Sequence, residues 1–196
     1  MSDKDESIKA EILEQAQKLF RHYGLAKTTM EDIAKAAGKG KSTLYYYYKS
    51  KDEIFDEVVT KEMNEVFRIL QEEVGKVQTA EEKLFTFSLT KFKILKERAN
   101  LFKVIRGDIE ANMQRLLELN RRFEAREISL VRGVLRYGLE SGEFAQYAAE
   151  DIDTLAFAMV CSFRGIEVGL LVEDKFADFE GRMEVLHNIT MRGLKA

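Results

Sequence analysis

The stretch KSTLYYYYKSK, residues 41–51, decides the fold of this chain, because four consecutive tyrosines cannot all be buried on one helix. Successive side chains on a helix lie about 100° apart, so the tyrosines sweep most of its circumference. Leu44 and Tyr48, four residues apart, can share one inward stripe. The other faces then carry hydroxyl groups and a cation, which can reach base edges and phosphate oxygens. Because the run alone also fits a solvated amphipathic helix, its neighbours decide between the two interpretations.

The segment before the run predicts a second short helix. Thr28-x-x-Glu31 has the form of a capping box, which marks a helix start. Gly38 can adopt the positive φ of a tight turn after that helix. Ile33 and Leu44 would then fill the angle between the two helices. Two short helices joined by a glycine-bearing turn, the second rich in hydroxyl groups, describe a helix-turn-helix.

Helical periodicity continues through the rest of the chain. The sequence has no proline, and its 12 glycines fall mostly between long periodic stretches, which favours an all-α fold. Ser50-x-x-Glu53 and Thr79-x-x-Glu82 repeat the capping-box form. Outside the helix-turn-helix, helices are predicted over 8–23, 51–75, 80–95, 101–105, 109–140, 150–172 and 178–194.

The charge distribution suggests a small cationic module on an acidic body. The net charge of −3 taken alone speaks against a nucleic-acid partner. Residues 1–51, however, hold 10 Lys and Arg against 7 Asp and Glu, whereas residues 52–196 hold 21 against 27. The asymmetry agrees with a nucleic-acid-binding module at the N-terminal end.

The composition also predicts a cytoplasmic protein. Hydrophobic residues make up 45% and charged residues 33% of the 196 residues, as in folded, charge-rich proteins. The N-terminus lacks an apolar signal-peptide core, and no apolar run approaches the ~20 residues of a membrane span. The single cysteine, Cys161, fits a reducing compartment and is expected to be an inert small apolar residue.

The segments TTMEDIAKAAG at 28–38 and KSTLYYYYKSKDEI at 41–54 resemble the TetR family of bacterial transcriptional regulators. Two positions depart from the family pattern: Lys39 stands where an apolar residue is usual, and Gly40 where the cap is usually serine or threonine. The resemblance implies an all-α fold with two domains. A three-helix helix-turn-helix DNA-binding domain over 1–50 would join a helical effector-binding and dimerisation domain over 51–196.

The resemblance also implies roles for residues of the helix-turn-helix. The start of the recognition helix would face the major groove, with Lys41, Ser42, Thr43 and Tyr45 reading base edges. A second set of residues would bind phosphates, and Tyr46 could contact either bases or phosphates. The predicted phosphate contacts are Thr28, Thr29, Tyr47 and Lys51.

In the C-terminal domain the resemblance implies an effector site in the middle helices and a homodimer interface on the last two. An apolar, aromatic set with a few polar groups suits a cavity, although ordinary core packing explains the apolar members equally well. The apolar segment 155–171 and the last helix suit a twofold interface. The candidate effector residues are Phe85, Phe92, Phe102, Arg106, Asp108, Asn112 and Phe123.

Two functions other than transcriptional regulation are alternatives for this sequence. An enzyme is disfavoured, because His22 and His187 lie in different predicted modules and neither suggests a triad or a metal cluster. No phosphate-binding glycine loop occurs, so neither a cofactor nor a metal is expected. A helical scaffold with a helix-turn-helix shape but no DNA target is the alternative. The resemblance therefore implies a ligand-responsive repressor that binds a palindromic operator as a dimer.

Overall fold

A computed structural model of the protein describes residues 3–106, 109–173, 179 and 181–195, with the backbone alone at 3, 98–106, 109–120, 122, 168 and 171–173. The described backbone is all-α, with eight helices and one 3₁₀ turn, as the sequence predicts. The helices are α1 (Asp3–Tyr23), α2 (Met30–Ala36), α3 (Lys41–Tyr47), α4 (Lys51–Lys76), α5 (Ala80–Arg106), α6 (Ile109–Glu140), α7 (Ile152–Glu173) and α8 (Met183–Lys195), with the 3₁₀ turn at Ala149–Asp151.

One predicted boundary is wrong. The separate short helix expected over 101–105 is instead the end of α5, which runs unbroken from Ala80 to Arg106. The physical reason is that no glycine or proline lies between these residues, so nothing interrupts the helix.

The chain forms two compact units. The first, here called the head, comprises Met1–Asn64 and Asn100–Asn120, and the second, the body, comprises Glu65–Ala99 and Arg121–Ala196. The head therefore includes the first half of α4, beyond the domain boundary predicted between residues 50 and 51, which stays a prediction.

The head is built around the inner faces of its first four helices. Ile33 of α2 and Leu44 of α3 have no exposed surface, and Tyr48 is 1% exposed. The predicted inward pair of Leu44 and Tyr48 is thus confirmed. Phe20 and Phe55 meet edge to face with ring centroids 5.5 Å apart, which ties α1 to α4.

The body has its own core, in which α6 and the loop after it pack closely. Gly138 of α6 lies against the ring of Phe144, and a Cβ at this position would overlap that ring. The Tyr147 hydroxyl donates to the Leu135 carbonyl oxygen at 2.7 Å. Within the described residues, no helix is sufficiently long and apolar to cross a membrane.

Candidate nucleic-acid interface

Thr29 fixes the N-terminus of α2. Its hydroxyl accepts a hydrogen bond from the Asp32 N–H at 3.1 Å, and the Asp32 carboxylate accepts from the Thr29 N–H at 3.0 Å. This reciprocal pair is a capping box. The Thr29 hydroxyl also donates to the Asp32 carboxylate at 2.6 Å, and this hydrogen bond is the main cause that lowers the pKa of Asp32. The box predicted for Thr28 and Glu31 was therefore wrong by one residue.

The two adjacent threonines have different environments. Thr29 is exposed at the start of α2, where a phosphate could reach it. Thr28 is 2% exposed, and its hydroxyl donates to the Gly24 carbonyl oxygen at 2.7 Å. The side chain of Thr28 thus holds the loop between α1 and α2, away from the surface position that a phosphate contact requires.

The turn between α2 and α3 is closed by a Schellman motif. Gly38 has a φ of 63°, its N–H donates to the Lys35 carbonyl at 3.1 Å, and the Lys39 N–H donates to the Ala34 carbonyl at 2.9 Å. The predicted positive φ at Gly38 is confirmed. This turn sets the angle at which α3 leaves α2.

The outward face of α3 carries the residues predicted to read bases. Lys41 and Ser42 are exposed, and Thr43 is half-buried. Tyr45 is 38% exposed and Tyr46 is 73% exposed. Because Leu44 anchors the opposite face, these side chains share a surface that a major groove can accommodate.

Two cations at the start of α3 are paired with carboxylates of the head itself. Lys41 forms an exposed ion pair with Glu31 of α2, and the Lys39 ammonium lies 2.8 Å from the Glu11 carboxylate of α1. The hydrogen bond from Lys41 is the main cause that lowers the pKa of Glu31. In water such pairs exchange readily, so phosphate can replace the carboxylates.

Tyr47 links α3 to the first turn of α1. Its hydroxyl donates to the Asp5 carboxylate at 2.7 Å, and this hydrogen bond raises the pKa of Tyr47. The ring of Tyr46 meets that of Tyr47 edge to face, with centroids 5.0 Å apart. A phosphate that recruits the Tyr47 hydroxyl would have to displace Asp5.

Lys51 lies at the start of α4, and its ammonium group is held by three backbone carbonyls. It donates to the oxygens of Leu25 at 2.6 Å, Ala26 at 3.2 Å and Thr28 at 2.9 Å. An ammonium has three donors, and all three are used here. Lys51 therefore fixes the loop before α2, a role that the sequence did not reveal.

The structure describes the side chains of three predicted effector residues, and each packs against other parts of the body. The ring of Phe85 lies 4.5 Å from that of His187, and Phe92 packs 5.8 Å from Phe179. Phe123 is buried at 7% exposure. The other predicted members lie outside the described side chains; these are Phe102, Arg106, Asp108 and Asn112.

A buried ionic cluster occupies the interior of the body. The Lys91 ammonium of α5 lies 2.8 Å from Glu127 of α6 and 3.0 Å from Glu167 of α7, and its side chain is 9% exposed. Burial raises the pKa of Glu167, whereas the carboxylates raise the pKa of Lys91. The cluster joins three helices through one cation.

A second pair extends this cluster. Arg164 of α7 pairs with Glu124 of α6. The Cys161 thiol lies 3.5 Å from the same Glu124 carboxylate, and burial is the main cause that raises its pKa. A raised pKa keeps the thiol protonated, in agreement with the inert role expected for it.

Sequence reasoning missed the buried cluster and the requirement for glycine at 138. The sequence signal for the cluster was the presence of Arg164 and Glu167 within the apolar segment 155–171. Within the described part of the chain, no group of His, Cys, Asp and Glu side chains is arranged to hold a metal ion.

Comparison with known proteins agrees with this geometry. Residues 12–58 match the family described as bacterial regulatory proteins, tetR family. The chain is 30% identical over 155 residues to the HTH-type transcriptional repressor KstR2 of Rhodococcus jostii, across 76% of this chain and 72% of that protein. It is 25% identical over 137 residues to the fatty acid metabolism regulator protein of Bacillus subtilis, across 69% and 70% of the two chains.

A solved structure extends the similarity to nearly the full length. A transcriptional regulator from Cytophaga hutchinsonii superposes with a TM-score of 0.76 and 26% identity, over 94% of this chain and 97% of that one. The fold class and the regulatory function predicted from the sequence are confirmed. The chain belongs to the tetR family of bacterial regulatory proteins and is a DNA-binding transcriptional regulator.

Proposed function

We propose that the protein is a ligand-responsive repressor that binds a palindromic operator as a homodimer and releases it when a small, largely apolar effector binds the body. The observation that carries the DNA-binding part is the exposed face of α3, anchored from behind by Leu44 and Tyr48. A scaffold with no DNA target gives no reason to expose Tyr46 to 73% beside a row of hydroxyl groups.

The residues of α3 divide between base and phosphate contacts. Lys41, Ser42, Thr43 and Tyr45 read base edges, and Tyr46 lies between the two roles. Thr29 and Tyr47 are assigned to phosphate, since each carries a hydroxyl group that can donate a hydrogen bond to a phosphate oxygen. Thr28 and Lys51 support this surface from the loop between α1 and α2 through the hydrogen bonds that they donate.

The protein's own upstream DNA is the natural first target for a binding assay. Fluorescence anisotropy should show sequence-dependent binding whose affinity falls steeply with salt. Because Lys41 is assigned to base edges, Lys41→Gln should relax sequence preference, whereas Lys61→Gln, an exposed cation of α4, should leave it unchanged. A binding curve independent of sequence and salt would favour the scaffold.

The dimer is proposed to form through α7 and α8. Phe157 is 55% exposed, Leu186 38% and Ile189 63%, whereas Met183 and Met191 of the same last helix are buried in the chain's own core. Exposed apolar side chains on two helices fit an isologous interface. Ile189→Asp should therefore convert a dimer to a monomer in light scattering, and Asn188→Asp, with the same added charge on a neighbouring face, should not.

The effector is proposed to be small and largely apolar. One relative of the chain is a fatty acid metabolism regulator, so a fatty acyl compound is the first candidate to test. Native mass spectrometry of the purified protein should reveal a co-purified small molecule, and adding that molecule should weaken operator binding. A molecule that binds the body and leaves operator affinity unchanged would contradict its assignment as the effector.

A further inference from the structure

Two exposed lysines, Lys27 and Lys49, flank the residue that holds the loop between α1 and α2. Lys51 donates to the carbonyls of Ala26 and Thr28, the residues on either side of Lys27. Lys49 lies two residues before Lys51, in the turn between α3 and α4. The loop and the turn are therefore adjacent in space, and each carries one exposed lysine.

Both lysines keep their charge available to an outside anion. Lys39 and Lys41 each form an ion pair with a glutamate of the head, and the three donors of Lys51 are used by carbonyls. Among the residues that the structure describes, no carboxylate forms an ion pair with Lys27 or Lys49. A phosphate that meets either of them therefore has no internal carboxylate to displace.

The ammonium group of Lys49 lies beside the recognition helix. It donates to the Tyr45 carbonyl at 3.4 Å, which is long for such a bond, and an ammonium carries two further donors. Tyr45 is assigned to base edges, so Lys49 borders the base-reading surface. The seven residues of α3 span about 10 Å, close to the ~12 Å width of a major groove. A cation just past the end of this helix therefore meets the sugar-phosphate backbone.

Hydrogen bonds fix the backbone that carries Lys49. Its N–H donates to the Glu53 carboxylate at 2.7 Å, and the Glu53 N–H donates to the Ser50 hydroxyl at 3.2 Å. Neither bond involves the lysine side chain. A substitution at this position therefore removes the charge and leaves these bonds of the turn intact.

Lys27 has a similar place in the loop before α2. Its neighbour Thr28 is buried, and the Thr28 hydroxyl donates to the Gly24 carbonyl at 2.7 Å, whereas Lys27 is exposed. Thr29, two residues after Lys27, is exposed at the start of α2 and is assigned to phosphate. A phosphate at the Thr29 hydroxyl would lie within reach of a flexible lysine side chain two residues away.

We propose that Lys27 and Lys49 bind DNA phosphates, whereas Lys51 between them positions the loop and makes no DNA contact. The two lysines then supply the positive charge that the sequence assigns to Lys51. Lysine binds phosphate as a point charge and releases the condensed counterion of each phosphate that it neutralises. Phosphate contacts carry no sequence information, so the same two form on any duplex. They depend on the proposed docking of α3 in the major groove, but not on a particular operator.

A mixed-sequence DNA duplex tests the two contacts by fluorescence anisotropy of the full-length protein over a range of salt concentrations. Lys27→Gln and Lys49→Gln should each lower the slope of log affinity against log salt by ~1, and the double variant should lower it by ~2. Lys27→Arg and Lys49→Arg keep the charge and should retain the wild-type slope. Lys61→Gln, an exposed cation about 15 Å along α4 from Lys51, is the matched control and should leave the slope unchanged.

Thermal melting shows whether the variants are folded, and all of them should melt as the wild type does, because the substituted side chains are exposed. An unchanged slope in either folded glutamine variant would overturn the contact of that lysine. A slope that fell as much in Lys61→Gln would also overturn the proposal, since it would show an effect of net charge alone.

The protein's own upstream DNA, measured in the same way, separates these contacts from the repressor. If this DNA binds no better than the mixed-sequence duplex, the repressor is contradicted, and the slopes on the mixed-sequence duplex still decide the lysine contacts. A preserved sequence preference with unchanged slopes in Lys27→Gln and Lys49→Gln would contradict the lysine contacts alone.

Discussion

The head and the body each contain an ion pair that bears on function or stability, and these two pairs lie in opposite environments. In the head, the side chains of Lys41 and Glu31 are 61% and 56% exposed. In the body, the side chain of Lys91 is 9% exposed and that of its partner Glu127 is 13% exposed. An exposed pair contributes little to stability, whereas a buried charge that loses its partner is costly.

This difference matches what each unit has to do. The cations of the head have to leave their carboxylates and meet phosphate or base edges, and in water that exchange costs little. The body's cation instead holds α5, α6 and α7 together through Glu127 and Glu167. The comparison predicts that charge substitutions in the body act on stability, and those on the recognition surface act on DNA binding.

Lys91→Met should have the largest effect on stability. It leaves Glu127 and Glu167 buried without their cation, so the free energy of unfolding should fall by about 3–5 kcal/mol. Urea denaturation followed by circular dichroism measures the change. Lys93→Met, an exposed lysine of the same helix, should change stability by less than about 0.5 kcal/mol.

A second variant of the cluster separates charge from packing. If the loss comes from unpaired carboxylates, adding Glu127→Gln and Glu167→Gln to Lys91→Met should restore a large part of the lost stability. Equal stability of Lys91→Met and Lys93→Met would show that the buried cluster does not hold the helices together.

Lys51→Met should have the next largest effect on stability. Like Lys91 of the body, Lys51 is held by several acceptors of the chain itself. Its three hydrogen bonds to the loop carbonyls predict a stability loss of about 1–3 kcal/mol. The salt slope of operator binding should stay unchanged. Lys49→Met, in the turn before α4, is the matched control for stability.

If Lys51 instead binds a phosphate, as predicted from the sequence, its removal should change the salt slope and leave stability nearly unchanged. A cation that neutralises one phosphate lowers the salt slope by ~1 when it is removed, with little change in melting temperature. Hydrogen exchange of the amides at 24–29 adds a third measurement, since faster exchange there in Lys51→Met would identify a positioning role.

The features of the head that the sequence predicted are those set by short spacings. The pairing of Leu44 with Tyr48 and the positive φ of Gly38 each depend on residues a few positions apart. The capping box was misplaced because two threonines are followed by two acidic residues, so both registers satisfy the spacing. In the structure Thr28 is buried and its hydroxyl donates to the Gly24 carbonyl, which leaves Thr29 as the cap.

The features that the sequence did not predict join distant parts of the chain. Lys91 and Glu127 are 36 residues apart, and Lys51 and Leu25 are 26 apart. Periodicity places each of these residues on a helix but does not say which helix its side chain will meet. The same limit applies to Arg164 of α7, whose partner Glu124 lies on α6.

His187 gives the body a smaller, pH-dependent contribution to stability. Burial is the main cause that lowers its pKa, and Glu81, Lys195 and Glu184 are the charged groups near it. Because the unfolded state then binds more protons, the contribution is complete above the unfolded-state pKa of 6.5 and is lost as the pH falls through that value toward the folded-state pKa.

The measurement is the melting temperature of the wild type and His187→Gln between about pH 8 and about pH 5. The wild type should lose slightly more stability on acidification than the variant does. Parallel pH profiles of the two proteins would show that His187 titrates as it does in the unfolded chain.

Glu31→Gln should have the smallest effect on stability and a measurable effect on binding. The hydrogen bond from Lys41 lowers the pKa of Glu31, so this carboxylate stays ionised at neutral pH and competes with DNA for Lys41. Its neutralisation should leave the melting temperature unchanged and raise operator affinity by less than about tenfold.

Glu14→Gln removes a carboxylate from an equally exposed pair with Lys18, outside the recognition surface, and should change affinity less. If both substitutions raised affinity equally, the gain would come from net charge alone. A gain specific to Glu31 would instead show that the head's exposed pairs hold its DNA-contacting cations in place until phosphate replaces the carboxylate.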